Sequence, residues 1–412
     1  MMDSLKSISS QQWRCLFAAQ LGWMLDAMDV MLYAFALTTI QAEFDLSSGQ
    51  AGALASATLI ASAVGGIGFG ILADRFGRAR TLMISILAYS VFTGLTATAG
   101  SLVELFVWRA LVGLGMGGEW SAGSVLVSET WPAEHRGKAI GFMQAGWAVG
   151  YILAAILAAS ILPLFGWRAL FLIGIAPALL TLWIRRNVQE PEIWRTRSNN
   201  NVSGVAPGIT ELLQAPFLRR AVLGSAMTMA VLFAYWGLFT WMPAFLSRPI
   251  EQGGAGLGIV KSSAWIIPMQ IGAFFGYTSF GFFADRMGRR PVFAAFLVCA
   301  AILVPMYGQL AQQEWALLVL GPLVGFFGHG YFSVFGVMLS ELFPTHLRGT
   351  AQGTVYNIGR AFSALAPYTI GAVADSSGLG SALGITSAFF LIGAALMFTL
   401  PETRGRDLHQ HI

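Results

Sequence analysis

Apolar and polar residues follow one another along this chain in blocks, without the 3.6-residue alternation of a helix lying half in water. Twelve apolar blocks occur, at about Trp13–Ile40, Gln50–Leu72, Thr81–Ala99, Ser101–Ser128, Lys138–Ile161, Trp167–Ile184, Ala221–Phe245, Val260–Phe283, Val292–Leu310, Trp315–Ser340, Thr350–Val373 and Leu379–Leu400. Each is close to the length a helix needs to cross the hydrocarbon core of a bilayer, about 17–25 residues. The breaks between them are short and polar. The pattern predicts an all-α membrane protein with twelve transmembrane helices.

Composition agrees: of 412 residues, 56% are hydrophobic and 11% charged, against about 45–50% and about 25% in soluble domains. The net charge of +4 would suggest nucleic acid only if the charges were clustered on a soluble face, and they are not. They lie in alternate breaks. Arg75, Arg78 and Arg80, Arg136 and Lys138, Arg185 and Arg186, Arg219 and Arg220, Arg286, Arg289 and Arg290, and Arg348 fall on one side, whereas Arg168, Arg248 and Lys261 fall on the other. The positive-inside rule then predicts cytoplasmic termini and an even number of spans. The polar start runs straight into a block too long and too acidic for a cleavable leader, so the first span is expected to stay. Cys15 and Cys299 fall in or at the edge of spans, where a lone cysteine is by default a small apolar residue.

The chain repeats itself at an offset of about 210 residues. GFGILADRFGRAR after the second block matches GFFADRMGRRP after the eighth, and SETWPAEHRGKAIG after the fourth matches SELFPTHLRGTAQG after the tenth. Pro191-Glu192 after the sixth block matches Pro401-Glu402 after the twelfth. One six-helix unit is used twice. The expected boundaries are 1–186 for the first bundle, 187–219 for a cytoplasmic linker containing SNNNVSGVAPG, and 220–412 for the second.

These motifs resemble those of the major facilitator superfamily, over the whole chain. The resemblance implies two six-helix bundles related by a pseudo-two-fold axis along the membrane normal. The duplicated Gly-x-x-x-Asp-Arg-x-Gly-Arg loop is its most specific part. Glycines permit a tight turn there, and the acid can meet an arginine or a helix N-terminus and hold one side shut. A gating role is thereby expected for Asp74, Arg75, Arg78, Glu129 and Arg136 in the first half and for Asp285, Arg286, Arg289, Glu341 and Arg348 in the second. RALVGLGMGGEW in the fourth span is similar to the Arg-x-x-x-Gly-x-Gly-x-Gly pattern of proton-coupled members. The Asp-x-x-Asp of the first span resembles that of the aromatic-acid and related organic-acid symporters, and Gly117–Trp120 looks like the sialate and metabolite relatives. PETRGR is shared with sugar porters.

Five ionisable residues fall inside spans and carry the chemistry. Charges at such depth cost about 2.5–3.5 kcal/mol or more and normally face a bundle interior or a wet cavity. Asp26 and Asp29 stand three residues apart, on one helix face. At about 1.5 Å per residue they lie about 20 and 24 Å from the cytoplasmic face, and Arg109 about 12 Å below the other, so Asp29 and Arg109 are expected to pair. Glu119, ten residues further along the same span, is a candidate second protonation site. Three acids face two arginines, and desolvation favours the neutral form of the surplus acid, as proton coupling requires. Arg360, about 15 Å deep, offers a planar fork for a carboxylate, with Tyr356 and Asn357 on its face. Its alternative role is to neutralise an aspartate. His329 is either a proton relay or a packing residue. Tyr235, Trp236 and Trp241, with Gln144 and Trp147, would suit an apolar or aromatic substrate body.

The expected function is symport of a small organic anion (a monocarboxylate or aromatic acid) with a proton, by alternating access. The protein would be a monomer in a plasma membrane, the bacterial inner membrane on this reading, with the lipid bilayer, the acid and the proton as partners and neither nucleic acid, metal nor cofactor. A proton-coupled sugar symporter is the alternative, followed by a proton/drug antiporter and a non-transporting sensor. An enzyme is not expected, since Gly-x-x-x-x-Gly-Lys, His-Glu-x-x-His and Gly-x-Ser-x-Gly are all missing from the sequence.

Overall fold

Within lipid every backbone N–H and C=O must find a partner in the chain, and a helix supplies these by itself. The computed structural model describes residues 8–192, 195, 211–215, 217–333, 335, 338, 342–343 and 348–402, with residues 74, 121, 133–134, 136–137, 285 and 348–350 described in backbone alone. Its helices are α1 Ser10–Phe44, α2 Ser48–Phe76, α3 Arg78–Thr96, α4 Leu102–Thr130, α5 Ala133–Ile173, α6 Ala178–Asn187, α7 Phe217–Ser247, α8 Gly258–Met287, α9 Arg289–Gln309, α10 Glu314–His329, α11 Arg348–Ser363, α12 Leu365–Ser377, α13 Leu379–Leu383 and α14 Ile385–Met397. They follow the twelve apolar blocks. Eight stretches among the described residues are long and apolar enough to cross a membrane, and one of them, Lys138–Asn187, covers two blocks in 50 residues.

Three blocks are interrupted helices. Gly166, at φ 74° and ψ 179°, breaks α5 three residues after Pro163, where the sequence places the division between the fifth and sixth spans. The sixth span then resumes as α6 after a turn ending at Pro177. The eleventh divides into α11 and α12, and the twelfth into α13 and α14 around Gly384.

The chain forms two compact units, one comprising 1–36 and 57–203 and the other 37–56 and 204–412. In the first, α2 and α4 touch through backbone. A methyl added at Gly113 or Gly117 would overlap the carbonyl oxygens of Thr58 and Ser62, the close approach that small residues permit between membrane helices. Cys15 is fully buried beside Leu82, Ile86 and Val112, whereas Cys299 is only partly buried.

The second unit includes the end of α1 and the start of α2. Ser48 and Gly49 donate their backbone N–H groups to the Asp375 carboxylate at 2.8 and 2.9 Å, so an acid from the end of α12 caps the N-terminus of α2. Arg248 donates to Gln41 at 2.5 Å and to Ser48 Oγ at 3.2 Å, and its guanidinium lies 5.5 Å from the Trp241 ring. The Tyr368 N–H donates to Ser56 Oγ at 3.2 Å. Burial works to raise the Asp375 carboxyl, but the hydrogen bonds from Gly49 and Ser48 and the charge of Arg248 outweigh it and hold it below its ordinary range.

The duplicated loop motif has the same construction in both units. Gly77 and Gly288 take φ values of 105° and 97°, which a residue with a Cβ rarely adopts. Each glycine precedes a helix whose first N–H groups need acceptors. Glu190 accepts from the N–H groups of Arg78, Ala79 and Arg80 at 2.6, 3.2 and 3.0 Å. Glu402 accepts from Arg289 and Arg290 at 3.1 and 3.0 Å. The repeat alignment sets Glu192 opposite Glu402, but the acid that does the work of Glu402 in the first unit is Glu190, on the other side of Pro191.

Candidate functional site

The first unit gathers its charged side chains along one stripe of α1. Gly22, Asp26, Asp29 and Tyr33 recur at spacings of four, three and four, so they share a face. Asp26, Asp29, Arg109 and Glu119 are all at most 1% exposed. The Glu119 carboxyl lies over Gly22, where a Cβ would overlap Oε1. Neither of its oxygens has a hydrogen-bond partner among the described residues. Asp26 is one turn away along α1, and the two carboxyls act on one another electrostatically.

Asp29 and Arg109 lie in each other's field, but no ion pair within 4.0 Å joins them among the described residues. In place of the direct ion pair expected from their depths, Asp29 meets a hydroxyl and a glycine, and Arg109 meets two aromatic rings. Thr93 Oγ1 donates to Asp29 Oδ2 at 2.5 Å, and Asp29 Oδ1 sits 3.0 Å from the place a Cβ on Gly174 would take. The Arg109 guanidinium stands 4.9 Å from the centre of the Tyr33 ring and 5.9 Å from that of Phe171, a cation held over aromatic faces. Its Nε and Nη1 lack hydrogen-bond partners among the described residues. Gln144 accepts from Trp120 Nε1 at 3.2 Å, and Trp147 packs on Trp23 with ring centres 4.7 Å apart.

The second unit brings Tyr235, Trp236, His329, Tyr356, Asn357 and Arg360 onto α7, α10 and α11. His329 is fully buried. Its Nδ1 is 3.1 Å from the Gly325 carbonyl, which can only accept, so Nδ1 carries the proton and Nε2 is left as an acceptor. Rings of Phe239, Tyr235 and Tyr277 surround it at 4.0, 5.2 and 5.9 Å. Tyr235 packs against Trp236 at 5.4 Å and Phe332 at 4.9 Å. Arg360 is 5% exposed and its Nε has no hydrogen-bond partner among the described residues. Tyr356 lies within its field. Trp241 is a packing residue: its Nε1 donates to the Pro367 carbonyl at 2.9 Å. Asn357 is partly buried.

Of the loop residues, Arg78 and Glu129 meet in a two-pronged ion pair, Nε to Oε2 at 3.1 Å and Nη2 to Oε1 at 3.0 Å, while Arg78 Nη1 donates to Ala73 O at 2.6 Å. Arg75 is exposed, and Arg286 stacks on Phe282 at 4.0 Å. Arg289 starts the helix that Glu402 caps. Glu341 and the side chains of Asp74, Arg136, Asp285 and Arg348 lie outside the described residues. No cluster of three or more metal-ligating side chains occurs among the described residues.

Sequence reasoning passed over Thr93, Gly174 and Glu190. The first two carry no charge, and a neutral polar side chain or a glycine is not unusual within a span. Glu190 was legible as an acid just before the same proline as Glu192.

The model of the Major Facilitator Superfamily matches residues 21–280 and 254–410. The chain is 34% identical to the cis,cis-muconate transport protein of Acinetobacter baylyi, with 93% of each chain covered. It is 30% identical to the sialic acid transporter NanX of Escherichia coli, again with 93% of each covered. The inward-open structure of the xylose transporter XylE from E. coli superposes with a TM-score of 0.77 at 21% identity, over 97% of this chain and 98% of that one. A twelve-span helical chain with a duplicated loop motif, alike over nearly its whole length to these transporters, belongs to the Major Facilitator Superfamily and is a multi-pass membrane transporter, not an enzyme.

Proposed function

We propose that this transporter carries a small organic anion together with a proton, by alternating access of two bundles, 1–186 and 220–412, joined by the linker 187–219. On this reading it works as a monomer in the bacterial inner membrane with both termini cytoplasmic, uses the proton as coupling ion and needs no cofactor. The observation that carries the substrate class is Arg360. A guanidinium buried in a span, with no acid within 4.0 Å among the described residues and an unpartnered Nε, is costly unless something negative joins it. A substrate carboxylate would do so with two parallel hydrogen bonds. The muconate and sialic acid named for the two relatives are both acids, in accord with this chemistry.

Proton carriage is assigned to Asp29, Asp26 and Glu119. Among the described residues the Glu119 oxygens lack hydrogen-bond partners and Asp29 is held by a neutral hydroxyl, so neither is locked there in the charged form by an ion pair. A sugar symporter is the second reading, favoured by the likeness to a xylose transporter; at 21% identity that likeness speaks for the fold alone. The test is uptake into proteoliposomes under an imposed pH gradient, with labelled lactate, benzoate, sialic acid and a hexose. Accumulation of an acid, abolished by a protonophore, is the expected outcome. Proton flux driven by the hexose alone would overturn it.

A further inference from the structure

Gln270 lies in the middle of α8, fully buried, and neither its oxygen nor its nitrogen has a hydrogen-bond partner among the described residues. A buried amide in that condition is unfavourable, and an apolar side chain of similar size would be better tolerated there if packing were all that mattered. Packing against α10 falls to its neighbour. Met269 meets Gly325, where a Cβ would overlap the Met269 carbonyl, and it also approaches Gly321.

Gln270 shares a face of α8 with Tyr277, seven residues on and about 10 Å along the helix. The Tyr277 ring stands 5.9 Å from His329. Tyr277 stands near Tyr356, and Tyr356 lies in the field of Arg360. Gln270, His329 and Arg360 of the second unit thus each carry polar atoms without hydrogen-bond partners among the described residues, and aromatic rings wall the His329 imidazole.

We propose that Gln270 is a specificity-determining residue that hydrogen-bonds a second polar group of the substrate, at the end remote from the carboxylate. The proposal rests on the reading of Arg360 given above. A primary amide both donates and accepts, as a hydroxyl does. The substrate class is accordingly a flat, unsaturated acid with a hydroxyl on its far side, its apolar body lying among the Tyr235, Tyr277 and His329 rings.

The test is calorimetric binding of benzoate and of its para-hydroxy derivative to the purified full-length protein. Wild type should prefer the hydroxylated acid by about tenfold, the worth of a neutral hydrogen bond. Gln270→Met should bring its affinity down to that of benzoate while benzoate binding stays within about twofold. Arg360→Ala should weaken both acids alike. Equal weakening of both acids in Gln270→Met, or an unchanged preference, would overturn the assignment and leave the Arg360 reading standing. Undiminished benzoate binding by Arg360→Ala, or binding of neither acid by wild type, would overturn that reading and this assignment with it.

Discussion

The Glu119 carboxyl rests on Gly22, in space that any side chain at position 22 would occupy. The absence of a Cβ on one helix thus sets the position of an acid on another. Gly22→Ala should overpack this contact, destabilise the protein by about 1–3 kcal/mol and move the carboxyl. Thermal unfolding in detergent reads the first effect and gradient-driven uptake the second. Gly22→Ala with Glu119→Ala should recover stability and still fail to accumulate substrate. Wild-type stability and uptake in Gly22→Ala would show that the contact does not matter.

Asp29 is held by Thr93 and lies in the field of Arg109, with no ion pair among the described residues. Asp29→Asn should abolish accumulation driven by a pH gradient yet preserve exchange of labelled for unlabelled substrate, because a permanently neutral side chain lets the loaded carrier turn over. Normal accumulation would remove Asp29 from proton carriage.

Arg360→Lys keeps the charge but loses the planar fork. If the guanidinium grips a carboxylate, affinity should fall by about 1.5–3 kcal/mol, roughly ten- to a hundredfold in Kd, as read by calorimetry. If Arg360 only balances an aspartate, lysine should serve nearly as well, and Asp26→Asn should rescue Arg360→Ala.

The Asp375 cap on α2 predicts a definite dependence on pH. Its carboxyl is held below the ordinary value, so the cap contributes stability above the unfolded-state pKa of about 3.9 and loses it as pH falls through the lower folded-state value. Asp375→Ala should cost about 0.5–1 kcal/mol at neutral pH, a modest figure because the residue is exposed. The difference in unfolding from wild type should persist at pH 5 and shrink only below about pH 4. Its disappearance near pH 6 would contradict the cap.

The helices and the buried charges were legible in the sequence because lipid penalises both an unpaired backbone and an uncompensated charge. Even the break between the fifth and sixth spans was visible, as the gap between the apolar blocks that end at Ile161 and begin at Trp167. Partners were not legible. Depth along a helix put Asp29 level with Arg109, yet it says nothing of the direction in which each side chain points, and Asp29 turned to Thr93. Gln270 escaped notice for a related reason: only its surroundings distinguish an unpartnered amide from an ordinary one.

The twin caps of Glu190 and Glu402 bear on how the polypeptide is assembled. Each six-span segment ends in an acid that folds back onto the loop after its own second span, so the last turn of each segment is tied off without help from the other. A chain severed between Glu192 and Glu211 would leave both fragments with their closing contact intact. The two pieces, made from separate messages in one cell, should therefore each close their own loop and reassemble a working carrier, the N-terminus of α2 gaining its Asp375 cap only when the pieces meet.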